Sequence, residues 1–191
     1  MSSNLMEINK MAAGKASEAM SKLIGNDVGV DVTSAAIRKV GDLSPVLASE
    51  EMVVGVYMLV TGDVKGASLL IFPQESAFKL SDVLVGREPG TTRSLTALDI
   101  SALKEVGNIV AGNYFAVLSN LLQVKIVEHI PNFSSDMFGA IVEQIITDFA
   151  RESEQALVVE IEFVFKPLTL KGYFLLLFRL EELKALLGEN L

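Results

Sequence analysis

The sequence predicts a mixed α/β (α+β) fold in which two repeated α-β-(α)-β-β units share one continuous antiparallel sheet, with two long helices packed on one face. One observation behind this prediction is that the same order of predicted helices and strands occurs twice along the 191 residues. Another is that residue identities recur 98 positions apart. The matched pairs are Ser3 and Ser101, Glu7 and Glu105, Gly14 and Gly112, Ser21 and Ser119, and Leu23 and Leu121. Units this small cannot each close a core, so a shared sheet is expected.

The first unit covers residues 1–90. Apolar residues at helical spacing predict a helix over 4–25, which Gly25 and Asn26 end. Alternating apolar and small or acidic residues then predict a strand over 28–32, continuing to about residue 40, and a turn or short helix follows at 43–48. A hairpin turning at Gly62 joins strands 51–61 and 65–72, and a helix over 74–85 ends at Gly86.

The second unit covers residues 95–191, after a loop-like break at 87–94 that marks the joint. Its elements repeat the order of the first unit and are predicted from the same patterns. They are a helix over 96–123, a strand over 124–130, a helix over 137–151, a hairpin of 156–166 and 171–179, and a terminal helix over 181–187. We therefore expect residues 1–191 to form one structural domain of two lobes.

Composition excludes several classes of function. The chain has no cysteine and a single histidine, His129, so thiolate or histidine metal centres and Ser/His catalysis are not expected. A net charge of −8 with scattered basic residues argues against nucleic acid as a partner. Half of the residues are hydrophobic, yet no apolar run reaches the ~20 residues that a membrane helix needs, and no secretory signal is evident. A cytoplasmic location is the expectation.

A polar stripe runs along the long helix of the second unit. Ser101, Glu105, Asn108 and Gly112 are spaced four, three and four apart, which places them within a ~60° arc of one helical face. The rest of the helix is largely apolar and should be buried. A carboxamide can orient a water molecule and a carboxylate seeks a cation, so the stripe suits recognition and chemistry. In that interpretation, Gly112 gives a partner clearance to approach the helix. Taken alone, such a stripe is most often just the solvated face of an amphipathic helix, and Gly112 then only marks close helix packing.

The same stretch resembles a known family. Ser101-x3-Glu105-x2-Asn108, followed after 22 residues by Pro131, is similar to the signature of the CheC/CheX/FliY phosphatases of chemotaxis. The sequence from Leu103 to Asn113 also resembles that of the corresponding helix in CheC proteins, and the resemblance extends over nearly the whole chain. It implies a pseudo-twofold CheC-like fold, which agrees with the repeat.

The resemblance implies a function as well. The substrate would be a CheY-type response regulator that is phosphorylated on aspartate and holds Mg²⁺, while this chain binds no cofactor of its own. Asn108 would position the hydrolytic water and Glu105 would pair with a lysine of the regulator, with Ser101, Gly112 and Pro131 in the docking surface. Pro131 could equally serve as a strand terminator.

The first unit departs from this pattern. Ser3 and Glu7 are followed by Lys10 where the second unit has Asn108, and Thr33 stands where the second unit has Pro131. A protonated lysine has donors but no acceptor, so it cannot hold a water as an amide oxygen does. We expect a degenerate site at Ser3, Glu7 and Lys10, and an intact site in the second unit.

Two other kinds of function are open. The chain could be a non-enzymatic adaptor that binds phosphorylated CheY, or CheD, the receptor-modifying deamidase that CheC proteins bind, or a binding module like those of the flagellar switch. A small-molecule enzyme has little support, because the sequence contains no Gly-rich phosphate loop, metal cluster or nucleophile constellation.

Overall fold

The computed structural model describes residues 2–39, 50–149, 155–165 and 168–178. Within them the chain forms four helices and seven strands. In chain order these are α1 (Ser2–Ile24), β1 (Val28–Lys39), β2 (Met52–Gly62), β3 (Gly66–Pro73), α2 (Gln74–Leu84), α3 (Ala97–Leu122), β4 (Ile126–Glu128), β5 (Asn132–Met137), α4 (Phe138–Phe149), β6 (Gln155–Phe165) and β7 (Leu168–Phe178). The short helices predicted at 43–48 and 181–187 lie outside the described residues.

All seven strands belong to one antiparallel sheet whose two halves exchange partners. The order is β1-β6-β7-β3-β2-β4, and β5 also pairs with β2. Strand β1 of the first unit therefore lies against the hairpin β6-β7 of the second unit, and β4 and β5 lie against the hairpin β2-β3 of the first unit. The two hairpins meet where β3 pairs with β7. This continuous sheet confirms the predicted fold class.

The sheet separates two hydrophobic cores. The larger core lies between the sheet and α1, α2 and α3, and includes Met20, Phe72, Phe115 and Phe163. The smaller core lies under α4 on the other face and includes Phe138 and Ile141. Helix α1 packs against the larger core through small side chains, because its buried positions include Ala12, Ala13 and Ala16. Both long helices thus pack on one face, as predicted.

A β-bulge interrupts the first strand of each unit at corresponding positions. In β1, Val32 pairs with Ile161 and Ser34 with Glu160, so Thr33 is the extra residue. In the second unit the strand predicted over 124–130 is wrong in its extent, because β4 covers only Ile126–Glu128. A further strand, β5, follows it and was not predicted. Pro131 stands between them, at the place in the repeat that Thr33 occupies. Proline lacks the N–H that a regular ladder needs, which explains the interruption.

The joint between the units is a loop folded around one buried carboxylate. Asp82, at the end of α2, accepts hydrogen bonds from the backbone N–H groups of Gly90, Thr91 and Thr92, at 2.8–3.2 Å, and from the guanidinium of Arg87 at 2.9 Å. Arg87 also bonds the buried Asp99 in the first turn of α3. The loop-like composition of this segment therefore conceals a tightly bonded turn that holds the start of α3.

Candidate functional site

Helix α3 has a well-defined N-terminus. Thr96 is its N-cap: the Thr96 hydroxyl accepts from the Asp99 N–H, and the Asp99 carboxylate accepts from the Thr96 N–H at 2.8 Å. This reciprocal capping box satisfies two of the helix's free donors. Because Asp99 also binds Arg87, the capping residues are linked to the joint between the units. The polar stripe thus begins one turn after a rigidly held helix end.

The polar stripe faces outward. Ser101, Glu105 and Asn108 are exposed and Gly112 is half-buried. The opposite side of α3 is buried, with Leu103, Val106, Val110, Ala111, Phe115 and Leu118 in the larger core. The described residues give neither Glu105 nor Asn108 an ion pair or hydrogen-bond partner, so both side chains are available to another molecule.

The close approach of α3 to the sheet occurs at Gly107 rather than at Gly112. A Cβ at Gly107 would lie 2.4 Å from Val56 Cγ1, so β2 occupies the space where a side chain would stand. A Cβ at Gly112 would meet no core atom. The packing alternative considered for Gly112 therefore applies to Gly107, which the sequence reading did not single out.

A second carboxylate lies beside Gly112. The two carboxylate oxygens of Glu128, on β4, are 3.6 and 3.7 Å from the Cβ position of Gly112, and among the described residues no other atom outside the adjoining helix backbone lies within 4 Å. Glu128 is half-buried, and burial raises its pKa above the ordinary range for a glutamate. Sequence reasoning missed Glu128. The only available signal was its place directly before His129-Ile130 on a strand that returns beside the helix.

Pro131 and its neighbours lie at the edge of the sheet, between β4 and β5. Pro131 is half-buried in the bulge, and Ile130 beside it is 82% exposed. His129 is exposed. Its ring Nε2 lies 3.1 Å from Thr61 Oγ1 and its backbone N–H donates to Leu59 O, so it acts as an edge residue.

Asn113, on α3, is bonded within its own helix. Its side-chain amide donates to Ile109 O at 2.7 Å, so Asn113 has a hydrogen-bonding role in the helix.

The first unit places its corresponding residues on α1. Glu7 and Lys10 are both exposed, so α1 presents an acid and a cation where α3 presents an acid and an amide. The position of Ser3 lies in the first turn of α1. Asn9, which lies between Glu7 and Lys10 in the sequence, is buried. Its Oδ1 accepts a hydrogen bond from the Tyr114 hydroxyl at 2.7 Å, which joins α1 to α3.

The described residues contain no group of three or more His, Cys, Asp or Glu side chains that could hold a metal ion. None of their helices is both long and apolar enough to cross a membrane.

The sequence matches known proteins over the stretch that carries this site. A model of the CheC-like family matches residues 98–127. The CheY-P phosphatase CheC of Bacillus subtilis is 27% identical over 159 residues, which cover 82% of this chain and 76% of that protein.

Solved structures share the fold. Thermotoga maritima FliY superimposes with a TM-score of 0.79 at 23% identity, covering 97% of this chain and 93% of that one. The CheX-CheY-BeF3-Mg²⁺ complex of Borrelia burgdorferi matches with a TM-score of 0.59 at 19% identity, covering 92% and 97%. Sequence and fold together confirm that this chain resembles the CheC/CheX/FliY family of chemotaxis proteins.

Proposed function

We propose that this chain accelerates hydrolysis of the aspartyl phosphate on a CheY-type response regulator. The observation that carries the proposal is the exposed, unpartnered amide of Asn108, one helical turn from the exposed carboxylate of Glu105, on a helix whose other faces are buried. A relative named as a CheY-P phosphatase covers most of the chain, and a CheX protein of the same fold is seen in complex with CheY.

The chemistry assigned to Asn108 is positional. Its side-chain oxygen accepts a hydrogen bond from a water and its NH₂ group can donate to the phosphoryl oxygens, which places the water in line with the acyl phosphate. The water oxygen bonds to phosphorus as the bond to the aspartate oxygen breaks, releasing inorganic phosphate and restoring the aspartate carboxylate. Charge compensation comes from the Mg²⁺ that the regulator, as substrate, is expected to hold.

Glu105 has a different role in this proposal. Its carboxylate pairs with a lysine of the regulator, which sets the register of α3 over the regulator's active site. Ser101, Gly112 and Pro131 contribute surface around these two residues. Because α3 is capped and packed on both flanks, the amide and the carboxylate keep a fixed spacing of about 4.5 Å along the helix axis.

The test is phosphate release from a phosphorylated CheY-type regulator with Mg²⁺. We expect Asn108→Ala to abolish the acceleration while leaving the thermal unfolding midpoint and regulator binding nearly unchanged, because the side chain is exposed. Glu105→Lys should weaken binding instead. Asn120 is exposed on the same helix about three turns further on, so Asn120→Ala is a matched control. Undiminished phosphate release from Asn108→Ala would refute the assignment.

An adaptor function is the second candidate, and the exposed Lys10 in the first unit favours it. A face that has an acid and a cation but no water-positioning amide can bind a partner without catalysis. The chain would then sense phosphorylated CheY by binding it, and would capture or release CheD accordingly. Binding of the phosphorylated regulator without faster phosphate release would support this candidate. For either function, a cytoplasmic location stays a prediction.

A further inference from the structure

Glu128 occupies a position on the polar stripe that its place in the sequence does not reveal. It belongs to β4, yet its carboxylate lies over Gly112, the last residue of the stripe. Along the helix axis Gly112 follows Asn108 by about 6 Å, and Glu105 precedes Asn108 by about 4.5 Å. The amide of Asn108 therefore stands between two carboxylates, one supplied by the helix and one by the neighbouring strand.

The Glu128 carboxylate has no partner of its own among residues 2–39, 50–149, 155–165 and 168–178. None of them donates a hydrogen bond to it or forms an ion pair with it, and burial is the sole cause of its raised pKa. Half-burial of an unpaired carboxylate costs free energy, because the charge loses water without gaining a cation. Among the described residues, and apart from the adjoining helix backbone, no atom other than this carboxylate lies within 4 Å of the Gly112 Cβ position, so the carboxylate belongs to no wider packing contact there.

The first unit lacks the feature. Its counterparts at the 98-residue spacing are Gly14 and Val30. Among the described residues, no atom outside the adjoining helix backbone lies within 4 Å of the Gly14 Cβ position, and Val30 is 5% exposed and belongs to the larger core. An apolar residue at this place in the strand is thus compatible with the fold. The acid occurs only in the unit that also carries Asn108.

We propose that Glu128 is a second docking residue of this site, which pairs with a basic side chain of the response regulator on the side of Asn108 opposite Glu105. The inference rests on the proposed function. Two carboxylates that flank the amide at a separation of about 10 Å along the helix constrain the rotation of a docked regulator as well as its position. The missing side chain at Gly112 keeps that side of the half-buried Glu128 carboxylate clear for this contact.

The test measures affinity and turnover separately. A CheY-type regulator from the same organism, activated with beryllofluoride and Mg²⁺, serves for binding, and the phosphorylated regulator serves for turnover. We expect Glu128→Gln to weaken binding about fivefold to tenfold, and Glu128→Lys to weaken it further by repulsion. The turnover rate at saturating regulator should stay within twofold of the unmodified chain, because Asn108 is retained.

Three measurements make the outcome specific. Binding by Glu128→Gln should respond less to added salt than binding by the unmodified chain, because one ion pair is lost. The melting temperature of Glu128→Gln should be equal or slightly higher, because the substitution removes an unpaired, half-buried charge and keeps the size of the side chain. Glu143→Gln is the matched control, since Glu143 is exposed on α4 across the sheet and should change nothing.

Each result supports or overturns a defined claim. If the unmodified chain binds and accelerates hydrolysis but Glu128→Gln binds equally well, the docking role of Glu128 is overturned and the proposed function stands. If Glu128→Gln lowers the saturated turnover rate without changing affinity, the docking role is again overturned. If the unmodified chain neither binds nor accelerates, both the proposed function and this inference are overturned.

Discussion

The two long helices occupy equivalent places in the repeat but are held to the rest of the fold in different ways. Helix α1 directs hydroxyl groups inward: Ser17 Oγ accepts from Val30 N at 2.6 Å, and Ser21 Oγ accepts from Val28 N at 2.9 Å. Where α1 has Ser17, α3 has Phe115, which lies in the larger core. Helix α1 is thus fastened to its strand by hydrogen bonds.

Helix α3 is held by its N-terminal cap and its apolar faces, which leaves Glu105 and Asn108 free to face outward. It presents Glu105 and Asn108 to solvent and has the Glu128 carboxylate beside Gly112. The difference between the units therefore goes beyond Lys10 in place of Asn108. Under the proposed phosphatase function, α1 is the structural support and α3 is the presenting surface, and four changes test this division.

The largest effect is expected from making the second unit resemble the first. Asn108→Lys removes the only acceptor at this position, so the acceleration of phosphate release should fall by on the order of 100-fold or more. At subsaturating regulator, Lys10→Asn in that background should restore only part of it, because the first unit has no counterpart of the docking residue Glu128 and should bind the regulator less tightly. Phosphate-release assays of both variants measure this, and full recovery with Lys10→Asn would show that the amide alone distinguishes the units.

The next largest effect concerns the joint that holds α3. Asp82→Ala leaves the N–H groups of Gly90 and Thr92 without their acceptor, so the free energy of unfolding should fall by about 3 kcal/mol. Urea denaturation measures this change. Asp27→Ala, at an exposed turn position, is the control and should be neutral. A similar loss in both variants would refute a special role for the joint.

The dependence of folding stability on pH provides an independent test of the role of Asp82. Burial alone would raise the pKa of Asp82, but hydrogen bonds from Thr92, Gly90 and Arg87 outweigh it and hold the pKa well below its ordinary value. The stability that Asp82 contributes is therefore present above about pH 4 and is lost as the pH falls toward the lowered folded-state value. The unmodified chain should lose more stability in that range than Asp82→Ala.

The smallest effect is expected at the fastening of α1. Ser17→Ala removes the acceptor for Val30 N and should cost about 1 kcal/mol of folding stability, with no change in phosphate release. Ser101→Ala, at an exposed position of α3, should leave stability within about 0.5 kcal/mol. Thermal unfolding distinguishes the two. If Ser17→Ala also slowed phosphate release, the division between support and presenting surface would fail.

The sequence predicted the helices and hairpins well because their patterns are local. Helical spacing predicted α1 and α3 to within about two residues, and the turn at Gly62 placed the β2-β3 hairpin. The bulge at Thr33 was missed because a bulge depends on the register with a partner strand. In the second unit only Pro131 signalled an interruption, and the strand after it went unrecognised.

The site shows the same division between local and distant signals. The spacing of Glu105 and Asn108 sufficed to predict one face of a helix, and both residues are exposed there. Glu128 could not be associated with Gly112 from sequence, since the contact joins a helix to a strand that follows it. The network around Asp82 was hidden for another reason: its loop has the composition of an ordinary solvated segment.

The exchange of strands between the units has a consequence for how the chain could be divided. Strand β1 has no strand partner within its own unit, because it pairs only with β6 among the described strands. A polypeptide carrying one unit alone would expose that long edge and would recruit a second copy of itself to cover it. The full chain is therefore equivalent to a tethered dimer, and cutting the joint should yield two fragments that assemble with each other and separate only on unfolding.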